Sequence, residues 1–198
     1  METKPMKFKS LEGISERQLA EHHDVLYAGY VKKVNEIRSK LPTVSLEGVN
    51  GTYAELRELK VEETFAWNGV KLHEGYFDSL GGDGASPKGQ LVNWIASDFG
   101  SYERWSQEFM ALGLCARGWV VLGMDLATGK LHNVVCDAHN QGGVWGMVPI
   151  VVLDVYEHAY FLDYATARKK YVDSYMKALD WSNADKVVKE FSLSSFRK

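Results

Sequence analysis

Ile150-Val151-Val152-Leu153-Asp154-Val155-Tyr156-Glu157-His158 joins an apolar run to an aromatic segment that continues through Ala159 to Tyr164. The run has the length and composition of a buried strand, and the segment after it reads as a helix. A carboxylate at the changeover and an imidazole four residues on then share one helical face, about one turn apart. That separation suits two ligands of one metal ion. The remaining ligands are expected wherever histidines fall on other apolar faces.

Upstream of this stretch the second half of the chain alternates its periodicities. Lys88 to Phe99 and Ser101 to Cys115 read as helices, and Trp119 to Met124 as a strand. Asp125 to Lys130 is a turn leading into a strand from Leu131 to Cys136, and Val148 to Leu153 makes a third. Downstream, helices are expected over Ala165 to Leu179 and Ser182 to Phe191. No repeat or low-complexity segment is present.

The first half is helical. Ser15-Glu16-Arg17-Gln18 reads as a capping box that opens a helix running to Leu41, where Pro42 ends it. The apolar row is Leu19, His22, Leu26, Tyr30, Val34, Ile37 and Leu41, so His22 falls in the buried stripe and His23 just outside it. A second capping box, Thr52-Tyr53-Ala54-Glu55, predicts a short helix. Another periodic stretch from Glu63 to Leu80 places Phe65, Gly69, Leu72, His73, Tyr76 and Leu80 on one side. Two such helices pack as a hairpin that can bring His22 and His73 face to face. Gly81 to Pro87 breaks the pattern and marks a boundary, with no strand before it to make a phosphate loop. The expected class is α+β: an N-terminal helical-hairpin domain over residues 1–84, and a C-terminal α/β domain over 85–198 with a three-stranded antiparallel sheet.

Composition narrows the function. A hydrophobic fraction of 45% in 198 residues supports a proper core. The net charge of −3 with dispersed lysines offers no nucleic-acid footprint. There is no signal-like N-terminus and no run of about 18 apolar residues, so no membrane span is expected. Cys115 and Cys136 stand in no CxxC spacing, which fits a reducing cytoplasm rather than a disulfide framework. What remains is His22, His73, Asp154 and His158, a mixed nitrogen and oxygen set of the kind that holds iron, manganese or zinc.

These residues bring a resemblance with them. Asp154-Val155-Tyr156-Glu157-His158-Ala159-Tyr160 resembles the signature Asp-Val-Trp-Glu-His-Ala-Tyr of the iron/manganese superoxide dismutase family, with Tyr156 in place of the usual tryptophan. His22 followed by Tyr30, His73 followed by Tyr76, the run Asp98 to Ser101 and the pair Gly118-Trp119 match as well. The resemblance implies one manganese or iron ion per subunit, held by His22, His73, Asp154 and His158, and an antioxidant oxidoreductase whose substrate is the superoxide anion. It further implies that Tyr30 is the gateway tyrosine, that Trp119, Tyr76 and Tyr160 surround the centre, and that Glu157 reaches His158 of another copy in a homodimer, or in a tetramer built from it. The hydrogen-bond partner of the metal-bound water comes from one of two places. The first is Gly69, which has no side chain, so the resemblance assigns His139, with Gln141 as the alternative. That arrangement implies a centre that works with either metal, manganese slightly preferred. Leu26, Lys71 and Phe77 depart from the family pattern together with Tyr156. Leucine cannot make the hydrogen bonds of the usual histidine, and a divergent member that keeps its metal with weak activity is the alternative reading.

Overall fold

The computed structural model describes residues 1–85 and 87–197; Ser86, inside the Gly81 to Pro87 segment read as a boundary, and Lys198 lie outside the described residues. The first rod of the hairpin is one continuous helical run in three parts: α1 (Glu16–Ala20), a π-helical turn (Glu21–Tyr27) and α2 (Ala28–Lys40). Ser15 caps it by accepting the Gln18 N–H at 3.1 Å. The π turn changes which residues face inward. Each π turn closes i→i+5, so it takes in an extra residue and rotates the helix beyond it. The buried row is His22, His23 and Tyr27 within the turn, then Val31, Val34 and Ile37 beyond it. His23, expected outside the stripe, is 7% exposed, while Leu26 and Tyr30, expected within it, are only half-buried.

The second rod, α3 (Glu55–Asp78), is unbroken over 24 residues, so the short helix and the later periodic stretch are one element. Thr52 does not cap it. Asn50 Oδ1 accepts the N–H groups of Thr52 and Tyr53 at 2.9 and 3.0 Å, closing a polar turn before the helix starts. The helix is continuous between Leu59 and Ala66, where buried Glu63 pairs with Arg38 and Lys60 at 2.9 and 2.5 Å.

Two helices, α4 (Gln90–Phe99) and α5 (Tyr102–Cys115), lead into the sheet of β1 (Trp119–Asp125), β2 (Leu131–Cys136) and β3 (Met147–Asp154), antiparallel in the order β2-β1-β3. The register sets Trp119 opposite both Cys136 and Asp154, which brings the mouth of the sheet together at one end. Pro149 has no N–H for the ladder, and the β1·β3 register shifts beside it, between Leu122 and Gly123. Helix α3 lies tightly on β3: a Cβ on Gly75 would stand 2.8 Å from Val152 Cγ2. Ser79 adds a hydroxyl that accepts the Val152 N–H at 3.2 Å.

After Asp154 the chain does not turn into a helix, contrary to the expectation. Val155 N–H donates to the Gly118 carbonyl at 2.8 Å and Tyr156 N–H to Asp154 Oδ1 at 2.9 Å, which holds the backbone extended for two more residues. A single 3₁₀ turn (Glu157–Ala159) then presents His158, and α6 (Phe161–Tyr164), α7 (Arg168–Lys177) and α8 (Trp181–Glu190) come after it. Two tyrosines of α7 prop the strand end: Tyr171 donates to the Asp154 carbonyl at 2.7 Å and Tyr175 to the Val152 carbonyl at 2.6 Å. The core runs without a break from the hairpin into the sheet.

Candidate metal centre

Four elements deliver one side chain each to a buried point between the hairpin and the sheet. His22 comes from the π turn, His73 from α3, Asp154 from the end of β3 and His158 from the 3₁₀ turn. Asp154 Oδ2 faces three imidazole nitrogens, the Nε2 atoms of His22, His158 and His73, at 3.1, 3.1 and 3.7 Å. One potential ligand atom from each residue lies within 4.8 Å of all the others. Ligand atoms held about 2.0–2.2 Å from a common ion stand roughly 3–4 Å apart, and the three distances to Asp154 Oδ2 fall in that range.

The hydrogen-bond accounting agrees. His73 Nδ1 lies 2.6 Å from the Gly69 carbonyl, which can only accept, so the ring proton is on Nδ1 and Nε2 is a bare lone pair. That Nε2 is buried and has no hydrogen-bond partner. An orphaned buried acceptor costs about 1–3 kcal/mol, and a metal ion is the partner that this geometry fits.

The electrostatics arise from burial and from the one carboxylate. Burial pushes the Asp154 carboxyl up, but the His158 and His22 imidazoles overcome it and hold the group well below the usual carboxylate range. Burial lowers His22, and burial together with neighbouring His22 lowers His73 to about 3, so both rings are neutral. His158 is the exception: burial acts downward, yet Asp154 raises it.

A second layer closes the pocket. Trp119 donates its indole N–H to His139 Nδ1 at 3.0 Å, and His139 Nε2 meets the Tyr30 hydroxyl at 2.7 Å. Burial lowers His139 to about 4, so the ring is neutral and has one proton. Nδ1 accepts from Trp119, which leaves the proton on Nε2, donated to the Tyr30 oxygen. Gly69 makes room for this pair, because a Cβ there would stand 3.0 Å from Tyr30 Cδ1 and 3.3 Å from His139 Cδ2.

A family model described as iron/manganese superoxide dismutases, C-terminal domain, matches residues 87–187. An iron superoxide dismutase of Aquifex aeolicus (strain VF5) is 42% identical over 181 residues, which cover 89% of this chain and 84% of that protein. Manganese superoxide dismutase 2 of Haloferax volcanii is 39% identical over 180 residues, covering 89% and 88%. An iron superoxide dismutase of Cupriavidus metallidurans is 40% identical over 177 residues, covering 88% of each chain. The chain belongs to the iron/manganese superoxide dismutase family. Its relatives carry either metal in their names, and the histidine and aspartate cluster provides a place for one iron or manganese ion.

Within that family frame the remaining predicted residues separate. Tyr76 is buried with its ring 5.0 Å from His22, and its hydroxyl is 3.1 Å from that of Tyr171. Tyr160 is buried too, but its hydroxyl takes Arg168 Nε at 3.0 Å inside its own chain. Glu157 is exposed beside the pocket. Gln141 is exposed, its backbone N–H closing a turn to the Ala138 carbonyl at 3.2 Å.

The departures from the family pattern also find their places. Tyr156 lies parallel to the His158 ring at 5.1 Å and covers one face of it. Phe77 is buried, 5.0 Å from His22, whereas Lys71 is exposed and reaches Glu74 at 3.4 Å. Tyr27, next to Leu26, donates to Glu74 Oε1 at 3.1 Å and accepts the Lys4 N–H at 2.9 Å, tying the N-terminal arm to the hairpin. In the sequence Gln18 is legible only as part of a helix cap, yet in the fold it contacts the His158 segment. No local pattern marks such a contact, because its partners lie 140 residues away or more.

Proposed function

We propose that this centre disproportionates superoxide to dioxygen and hydrogen peroxide, with His22, His73, Asp154 and His158 holding one iron or manganese ion per subunit. The ligand assignment is supported by the convergence of three imidazole Nε2 atoms on one buried carboxylate oxygen. A bound ion supplies one-electron cycling between trivalent and divalent states, oxidising one superoxide to dioxygen and reducing the next, with two protons, to hydrogen peroxide.

The chain's own residues prepare the pocket for this. Asp154 is the only carboxylate of the four, so an approaching anion meets three imidazoles rather than a ring of negative charge. Tyr30 accepts from His139, which leaves its own O–H free to donate into the pocket. Burial raises the Tyr30 hydroxyl, as do the nearby Tyr156 and Asp154, so that hydrogen is retained at neutral pH. Trp119 holds His139 in the tautomer that this requires. His139 therefore acts on substrate and solvent through Tyr30 or by sharing the same Nε2–H, since Trp119 occupies its other nitrogen.

The centre accepts either metal in this reading, manganese slightly preferred, with loading that tracks supply because first-row affinities alone select poorly. Glu157 has no side-chain partner among the described residues and is assigned to a homodimer interface, or a tetramer built from it, reaching His158 of a second copy. Exposed Val25, Phe161 and Leu162, at 57, 47 and 49%, stand close in sequence to the ligands and support an interface there. The division into 1–84 and 85–198 leaves the centre between two halves, each providing two ligands. Both cysteines are free, as a reducing cytoplasm keeps them, and no helix among the described residues is long and apolar enough to cross a membrane.

The test is metal content and superoxide decay measured on one sample of the wild type and of His73→Ala. The variant is expected to lose most of its bound metal and its activity together. Wild-type metal content in that variant removes the assignment.

A further inference from the structure

Gln18 sits in α1, four residues before His22, and is 1% exposed. Its carboxamide reaches across to the other half of the chain, where Nε2 donates to the His158 carbonyl at 2.6 Å and Oε1 accepts the Leu162 N–H at 3.2 Å. A carbonyl and an N–H four residues apart are the pair that an α-helix joins directly. Here the amide is inserted between them, so the turn carrying His158 is held open and cannot close into α6. A side chain entering the ladder in this way bends or breaks a helix. The break is visible in the backbone, where Tyr160 stands at φ −147° and ψ −11° and α6 is only four residues long.

The orientation of the amide is fixed, since a carbonyl only accepts and an N–H only donates. Among the described residues neither backbone group has another hydrogen-bond partner. A second tie lies one turn away, the Ser15 N–H donating to Asp163 Oδ2 at 2.7 Å. The piece of α1 that leads into His22 is thus bolted to the piece of chain that presents His158.

We propose that Gln18 is a positioning residue of the metal centre: its amide wedges open the His158 to Leu162 turn and fixes where the His158 ring meets Asp154 and His22. Removing the amide has two possible consequences, and both move His158. Either the turn closes on itself and rotates the ring, or the partly buried His158 carbonyl is left without a donor and the segment shifts to find one. This inference rests on the assignment of the four residues as a metal centre.

Gln18→Ala removes the amide, Gln18→Met keeps its bulk, and Gln18→Glu keeps one acceptor for Leu162 but faces the His158 carbonyl with an oxygen. For each variant the affinity for manganese and iron is measured by chelator competition, the ferric form is examined by absorption and electron paramagnetic resonance, and the unfolding temperature is taken with and without metal. The expected result is a 10–100-fold loss of metal affinity, the usual effect of removing a support of a ligating histidine, with an altered ferric spectrum and a smaller metal-dependent rise in unfolding temperature. If Gln18→Ala fails to fold, Gln18→Glu and Gln18→Met decide. Affinity and ferric spectrum equal to wild type, even with a lower unfolding temperature in both forms, would overturn the proposal and leave Gln18 a structural residue. If the wild type itself holds no metal, the metal-centre reading fails instead.

Discussion

Gly69→Ala tests how tightly the ring of residues around the centre is packed, and Gly29→Ala provides its control. Both glycines are interior to helices, α3 and α2, where alanine is better than glycine by roughly 0.5–1 kcal/mol. A Cβ on Gly29 meets nothing within 4 Å, so that substitution is expected to give the whole gain. A Cβ on Gly69 stands 3.0 and 3.1 Å from two ring carbons of Tyr30 and 3.3 Å from a ring carbon of His139, closer than ordinary carbon contact. Neither ring can step aside freely. Tyr30 is flanked by Phe65, His73 and His139, with centroids at 6.2, 5.4 and 4.8 Å, and His139 is held by Trp119.

Overpacking of this kind costs about 1–3 kcal/mol, and lengthening the Tyr30 to His139 hydrogen bond costs about 1 kcal/mol more. Set against the propensity gain, Gly69→Ala is expected to destabilise by roughly 1–3 kcal/mol while Gly29→Ala stabilises by up to about 1 kcal/mol. For a chain of this size each kcal/mol moves the unfolding temperature by roughly 2–4 °C, so the two variants should shift in opposite directions by amounts that calorimetry separates. Superoxide decay should fall in Gly69→Ala and stay unchanged in Gly29→Ala. Two equal upward shifts, with unchanged decay in both, would show that Gly69 does not reserve the space for Tyr30 and His139.

Glu157→Ala should weaken both the dimer and the hold on metal, as loss of the carboxylate that orients a ligating imidazole does, and light scattering with metal analysis at micromolar concentration checks it. Full metal in a wild-type monomer would contradict the interface. For the metal-free protein, His22, His73 and His139 have folded pKa values below the ordinary 6.5, with His73 at about 3 and His139 at about 4. The unfolded chain takes protons that the folded one refuses, so each contributes no slope above pH 6.5 and a loss of up to about 1.4 kcal/mol per pH unit below it, ending near its folded pKa. His158, raised by Asp154, has the opposite sign, adding stability as pH falls toward 6.5 from above its folded pKa. Urea midpoints of metal-free protein should therefore decline from pH 6.5 to 5, and a flat profile over that window would refute the neutral-histidine assignment.

The clustering of His22, His73, Asp154 and His158 was legible because metal chemistry restricts residue type: few side chains bind a first-row ion, and apolar neighbours mark which histidines turn inward. The sheet was legible for a similar reason, since Trp119–Asp125 and Leu131–Cys136 pair around a turn with recognisable residues. What was not legible is the route of the backbone at each ligand. The stretch after Asp154 has the composition of a helix, yet hydrogen bonds to the Gly118 carbonyl and to Asp154 Oδ1 hold it extended, and the first of these is a tertiary contact. His23 looked like a surface residue because a 3.6-residue period places it there, and a π turn has a different period. Thr52 had the spacing of a capping box, but Asn50 Oδ1 takes the Thr52 N–H that the Glu55 side chain would accept in such a box, and the helix starts only at Glu55.

Apart from the Thr52 cap, the irregularities cluster at one place. The π turn carries His22, the extended detour carries Asp154 into His158, and the opened turn at Gln18 presents His158 itself. Each is a local irregularity that a regular helix would remove, and each is held by partners from distant parts of the chain. A straight α-helix from Glu16 to Lys40 would send Leu26 and Tyr30 inward with His22; the π turn instead sends His23 and Tyr27 inward. Tyr30 is left at the rim, half-buried, where its hydroxyl meets His139. Local rules break most readily where a functional site is built, and here they break at three of the four residues of the candidate centre. Only His73 sits on undistorted helix, and its Nδ1–H is donated to the Gly69 carbonyl one turn back, a position that regular α-helical geometry provides without help.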